Sequence, residues 1–126
     1  MKYCARTFSI FLFISFISAQ TYVPDDNFEQ ALIDLGYDDV LDDYVVTDSI
    51  NTVTTLNVEN DSISDLTGIE GFTALTNLNC SYNQLTSLDM SSNTALTEMN
   101  CARNDLTSLD VSSNTALTEL NCHSNQ

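Results

Sequence analysis

Cys80, Cys101 and Cys122 recur at a fixed interval of 21 residues in "LTNLNCSYNQ", "LTEMNCARND" and "LTELNCHSNQ", and the only histidine, His123, follows the last of them. Thiols and an imidazole could bind zinc, cycle through disulfides or simply fill a core. Zinc takes about four convergent ligands, commonly from close pairs such as C-x2-C. One thiol per 21 residues instead gives a straight row, and on a strand His123 faces away from Cys122. The spacing therefore speaks against a metal site, and no cofactor is expected. A disulfide is harder to exclude, because stacked Cα atoms about 4.8 Å apart fall within the permitted range, although parallel side chains keep the Cβ atoms wider than the usual ~3.8 Å. Pairing would leave one of the three unmatched. Val58 holds the equivalent place in an earlier, looser copy of the phrase, so an apolar residue serves there. Reduced cysteine is a small hydrophobe, and the balance favours buried free thiols.

The acidic run "DDVLDD" offers Asp38, Asp39, Asp42 and Asp43 as oxygen ligands for Ca²⁺. It lacks the alternating D-x-D-x-D-G order and the closing glutamate of an EF-hand loop, so a solvated acidic turn is the favoured reading. No nucleophile, base and orienting group come together: the many serines sit in repeated "SSN" turns, and neither G-x-S-x-G nor a phosphate-binding loop is present. The chain does not read as an enzyme.

What positions these residues is a repeat. Leu75–Ala95 and Leu96–Ala116 are largely identical 21-residue copies, residues 117–126 begin a third, and residues 53–74 form a looser 22-residue copy. All obey L-x-x-L-x-(L/C)-x-x-(N/D)-x-L. The stretch around Leu78 and Cys80 alternates as a short strand does, turning Leu75, Leu78, Cys80 and Leu85 inward. Asn83, Asn104 and Asn125 fall where the chain leaves each strand, positions at which a side-chain amide can satisfy backbone groups. Within each copy the half "LTSLDMSSNTA" echoes "LTNLNCSYNQ", so the back of the coil is expected to run extended. In the first copy Ile63, Leu66, Ile69 and Phe72 recur every third residue, which suits a 3₁₀ turn.

This pattern resembles the leucine-rich-repeat superfamily, and in particular bacterial secreted proteins with nested 21-residue repeats. "TGIEGFTALTNL" (67–78) is similar to the 22-residue repeats of internalins. The resemblance covers residues 53–126. It implies a right-handed leucine-rich-repeat solenoid of short parallel β-strands with an extended convex side, used for binding within a surface or secreted protein, and it brings no catalytic residues.

Ahead of the repeats, Lys2 and Arg6 precede the apolar run "FSIFLFISFI" and the small residue Ala19, the composition of a signal peptide over residues 1–19. The run is shorter than the ~20 residues a membrane span needs. Cleavage would remove Cys4 and two of the three basic residues, leaving Arg103 against 18 acidic residues, a formal charge of −17. Nucleic acid and membrane insertion are therefore not expected. Residues 20–52 read as an N-terminal cap with a helix over Asp25–Leu35. Asp26 and Glu29 form its capping box, Gly36 its stop and Phe28, Ala31, Leu32 and Leu35 its apolar face, backed by Val40, Leu41, Val45 and Val46.

Positions fixed between copies serve the coil, so the varying ones are candidates for binding. On the strand face these are Asn77, Glu98 and Glu119, then Ser81, Ala102 and His123, with Tyr82, Arg103 and Ser124 beside them. Asn79, Asn100 and Asn121 make an outward polar row, and Asp89 and Asp110 stack as like charges. The expected function is an extracellular or cell-surface module binding protein or glycan through this face; the alternative is a structural spacer in a larger surface protein without a ligand of its own. The third coil stops at Gln126 half-way round, which leads to the expectation of further repeats downstream.

Overall fold

The computed structural model describes residues 18–126. The expected signal peptide, with Cys4, lies outside the described residues apart from Ser18 and Ala19. The described chain opens with strand β1 (Gln20–Tyr22), helix α1 (Asp26–Asp34), strand β2 (Tyr44–Val46) and the short helix α2 (Thr47–Ile50). The coils follow, each contributing one three-residue strand: β3 (Thr55–Asn57), β4 (Asn77–Asn79), β5 (Glu98–Asn100) and β6 (Glu119–Asn121). These four pair in parallel in the order β3-β4-β5-β6, so that Leu56, Leu78, Met99 and Leu120 stand in register. The first coil returns through a 3₁₀ turn (Ile69–Gly71), as the three-residue spacing predicts. The backs of the next two meet in a single parallel bridge, Asp89 with Asp110. The expected extended back is thus reduced to one bridge between turns.

The consensus residues of the first three coils supply the core, while Leu120 and Cys122 of the last coil are exposed. Leu56, Val58, Leu75, Leu78, Cys80, Leu85, Met90, Leu96, Met99, Cys101 and Leu106 are all buried. The coils are tied by side chains as well as strands. Asn83 donates through Nδ2 to the carbonyls of Val58 (2.7 Å) and Cys80 (3.0 Å), while its Oδ1 accepts the N–H groups of Asp61 and Ile63. Asn104 repeats this between Cys80 and Cys101, with Leu85 N–H on its Oδ1. A second ladder runs up the back, where Asn93 bonds the carbonyls of Ile69 and Phe72, and Asn114 those of Met90 and Asn93. A third is made by threonine: the hydroxyls of Thr76, Thr97 and Thr118 each donate to the carbonyl of the matching residue one coil earlier, Thr54, Thr76 and Thr97.

The N-terminal segment differs from expectation in detail. The helix runs Asp26–Asp34, and its N-cap is Asp25, whose Oδ1 accepts the N–H groups of Asn27 and Phe28 at 3.0 Å. Asp26 caps nothing and the capping box does not form. Glu29 is instead fully buried, its Oε1 accepting the N–H groups of Asp42 (2.9 Å) and Tyr44 (3.1 Å) from the acidic loop. Asp25 wins the cap because its other oxygen is claimed by the first coil: Ser64 N–H, Ser64 Oγ–H and Asp65 N–H all donate to Oδ2, at 2.9, 2.7 and 3.0 Å. Gly36 does stop the helix, at φ 80°, with Tyr37 N–H on Leu32 O and Gly36 N–H on Ile33 O. Phe28, Ala31 and Leu32 are buried as expected, but Leu35 is 46% exposed because it is the last residue before that reversal. Val40 and Leu41 (51% and 49% exposed) ride the acidic loop. Strand β2, paired antiparallel with β1, turns Val45 in and Val46 out.

Candidate binding face on the strand ladder

Two residues of each strand face outward, and parallel register lines them up. One row is Thr55, Asn77, Glu98 and Glu119; the other is Asn57, Asn79, Asn100 and Asn121. Together they line a groove of about 490 Å³ across all four strands. In the first row Asn77 Nδ2 donates to Glu98 Oε2 at 2.7 Å. In the second, each asparagine turns its Oδ1 onto the backbone N–H two residues ahead. The donors are the N–H groups of Glu59, Ser81 and Ala102 at 3.2 Å and His123 at 3.4 Å. These turns end the strands, and the chain then bends through left-handed residues at Asn60, Tyr82, Arg103 and Ser124 (φ 61°, 57°, 56° and 56°).

That bend separates the sequence-derived candidates. Asn77, Glu98 and Glu119 line the groove; Tyr82, Arg103 and His123 lie on the bend beyond it and do not. The Arg103 guanidinium sits 5.0 Å over the Tyr82 ring, a cation–π contact between successive coils. His123 is exposed, with Nδ1 and Ser124 Oγ 2.9 Å apart. Ser81 and Ala102, expected on the open face, are buried, because the bend folds the chain inward directly after the strand. Thr55 and Asn57, the first coil's share of the groove, were missed. The alignment of Val53 with Leu75 places both in the two rows.

The remaining chemical candidates resolve physically. Cys80 and Cys101 are buried free thiols and Cys122 is free and exposed. Burial, reinforced by the neighbouring Cys101, pushes the Cys80 thiol up to about 12; burial and Cys122 raise Cys101 to about 11. Such thiols are inert packing. Asp38, Asp39, Asp42 and Asp43 are not brought together as a site: among the described residues no group of three or more acidic, histidine or cysteine side chains is placed to hold a metal ion. Asp42 Oδ1 instead accepts Tyr44 N–H, and Asp38 Oδ1 accepts Asp39 N–H. At the stacked Asp89 and Asp110, backbone N–H donors from Ser91 and Ser112 hold both carboxyls below their ordinary value, outweighing the like-charge pairing.

No protein-family model matches the chain. Internalin J of Listeria monocytogenes (serotype 4b, strain F2365) is 43% identical over 76 residues, which span 60% of this chain and 8% of that protein. The solved functional domain of InlJ from Listeria monocytogenes, described as including a cysteine ladder, is similar at a TM-score of 0.76 and 40% identity over 86% of this chain. The chain is a leucine-rich-repeat protein. Its homologues are internalins. A further internalin structure, InlF of the same species, shares the fold at a TM-score of 0.76 and 24% identity, over 82% of this chain and 31% of that one. This leucine-rich-repeat protein spans 25% of the InlJ structure, and so corresponds to a part of its relatives' length. Among its described residues no helix is long and apolar enough to cross a membrane.

Proposed function

We propose that this chain is a binding module of an exported bacterial surface or secreted protein, and that it engages a protein partner through the groove on its strand ladder. The observation that carries this reading is the groove itself: four strands in register present two continuous polar rows to solvent. The likeness to internalins supports a binding role over a catalytic one, and no reacting constellation is built around the groove. Residues 20–52 serve as the cap of the solenoid. They close the first coil with Phe28 and Tyr37, each with its ring centroid 6.5 Å from that of Phe72, and with the Asp25 tether. Residues 1–19 act as the export signal.

The test is an array of extracellular proteins and glycans probed with the purified chain and with a Glu98→Arg/Glu119→Arg variant whose fold is checked by circular dichroism. Protein ligands lost in the variant are expected. Silence across the array favours a spacer without a ligand, and glycan hits alone, or hits that survive the substitution, overturn the reading.

A further inference from the structure

The two rows differ in chemistry, and the difference selects among partners. Each asparagine of the Asn57, Asn79, Asn100 and Asn121 row has spent its Oδ1 on its own backbone, so what it offers outward is the Nδ2 donor pair. At Asn79 that donor reaches a carboxylate, Glu59 Oε2, at 3.0 Å. The neighbouring row ends in Glu98 and Glu119, acceptors that carry charge. Adjacent strands stand about 4.8 Å apart, and the rows, two residues apart along each strand, are separated by roughly 6.6 Å.

Glu98 and Glu119 are direct register partners on neighbouring parallel strands. Like charges placed opposite one another destabilise a sheet. On the back of the solenoid the equivalent conflict at Asp89 and Asp110 is relieved by turn bonds from Ser91 and Ser112. On the groove side Glu98 meets the neutral amide of Asn77. Arg103, the one Lys or Arg among the described residues, is stacked on Tyr82 outside the groove. The groove therefore holds a paired negative charge that no basic side chain of the described residues neutralises, next to a row of amide donors.

Resting on the strand face as the binding surface, we propose that the groove takes an extended polypeptide segment bearing lysine or arginine. Its backbone carbonyls meet the asparagine donors and its cationic side chains settle between Glu98 and Glu119. A neutral oligosaccharide can hydrogen-bond to both rows but leaves the carboxylate pair uncompensated. Anionic glycans and nucleic acid are repelled.

The probe is a fluorescein-labelled (Gly-Lys)6 peptide, read by anisotropy against the purified chain, with (Gly-Gln)6 and cellohexaose as comparisons. Glu98→Gln/Glu119→Gln is expected to weaken (Gly-Lys)6 binding roughly tenfold, and Asp26→Asn/Asp39→Asn, which removes the same charge elsewhere, less than about twofold. Amide shifts on titration should centre on Asn77, Glu98, Asn100 and Glu119. Equal losses in the two variants reduce the attraction to net charge and overturn the proposal, as does absence of binding or a preference for cellohexaose. If array ligands still depend on the strand face while (Gly-Lys)6 does not, the cationic partner fails and the binding face stands.

Discussion

Asp25 joins the N-terminal segment to the repeats through one carboxylate, and replacing it tests that arrangement directly. Oδ1 caps α1 with two bonds and Oδ2 accepts three from Ser64 and Asp65. Loss of an N-cap costs about 1 kcal/mol, and loss of hydrogen bonds to a charged acceptor about 2 kcal/mol more, so Asp25→Ala should destabilise by about 3 kcal/mol. In a domain of this size that lowers the melting temperature by about 10–20 °C. Asp25→Asn keeps the cap, since asparagine is as good an N-cap, but turns an amide toward three donors and should lose about 2 kcal/mol. Ser64→Ala should cost about 1 kcal/mol alone and much less in the Asp25→Ala background. Differential scanning calorimetry reads all three. Burial works to raise the Asp25 carboxyl, but the Ser64 hydroxyl and the N–H groups of Ser64, Phe28 and Asp65 together pull it below its ordinary 3.8. Its charge-dependent contribution is therefore present above the ordinary 3.8 and is lost as pH falls through the lowered native value, so the gap between wild type and Asp25→Ala should narrow as pH falls below about 4. An Asp25→Ala protein that melts within about 2 °C of wild type, or a gap unchanged at low pH, refutes the tether.

Asn104→Ala removes its bonds to the Cys80 and Cys101 carbonyls and leaves the buried Leu85 N–H without its acceptor, so a loss of about 2–4 kcal/mol is expected from urea denaturation. Gly68→Ala places a Cβ 2.7 Å from Val23 Cγ2 and 2.9 Å from Tyr22 O at φ 108°, and should cost about 2–3 kcal/mol in the same assay. Thiol labelling of the folded protein at pH 8 should modify Cys122 and spare Cys80 and Cys101 until denaturant is added. Cys101→Val should be tolerated within about 1.5 kcal/mol, because Val58 already fills that place one coil from Cys80.

The solenoid was legible because each inward position is repeated: Leu78, Cys80 and Leu85 explain one another, and Asn83 could be assigned to the turn before its bonds were seen. The residues that resisted are those whose place is set from elsewhere in the chain. Asp25 and Asp26 are equal candidates as caps by local pattern, and the choice is made by Ser64, 39 residues away. Glu29 looked like half of a capping box, whereas its carboxylate organises the loop at Asp42 and Tyr44. Ser81 and Ala102 alternate as outward residues of a strand, but the left-handed bend at Tyr82 and Arg103, which no glycine announces, closes over them. The pairing of β1 with β2 joins short segments without a turn between them, and neither carries a pattern of its own. At the groove, Asn77, Glu98 and Glu119 were found from variation between copies. Thr55 and Asn57 were passed over because the first copy is looser.

Between coils, the three ladders of asparagine and threonine reach only the coil before, and always through the same positions. Excising residues 96–116, or inserting another such block, would present every donor with the acceptor it already had. A gene encoding this protein can lengthen or shorten by whole repeats through recombination between near-identical segments while each product remains foldable. Reach, and the number of Asn-and-Glu steps offered to a partner, are then heritable quantities that change in integer steps.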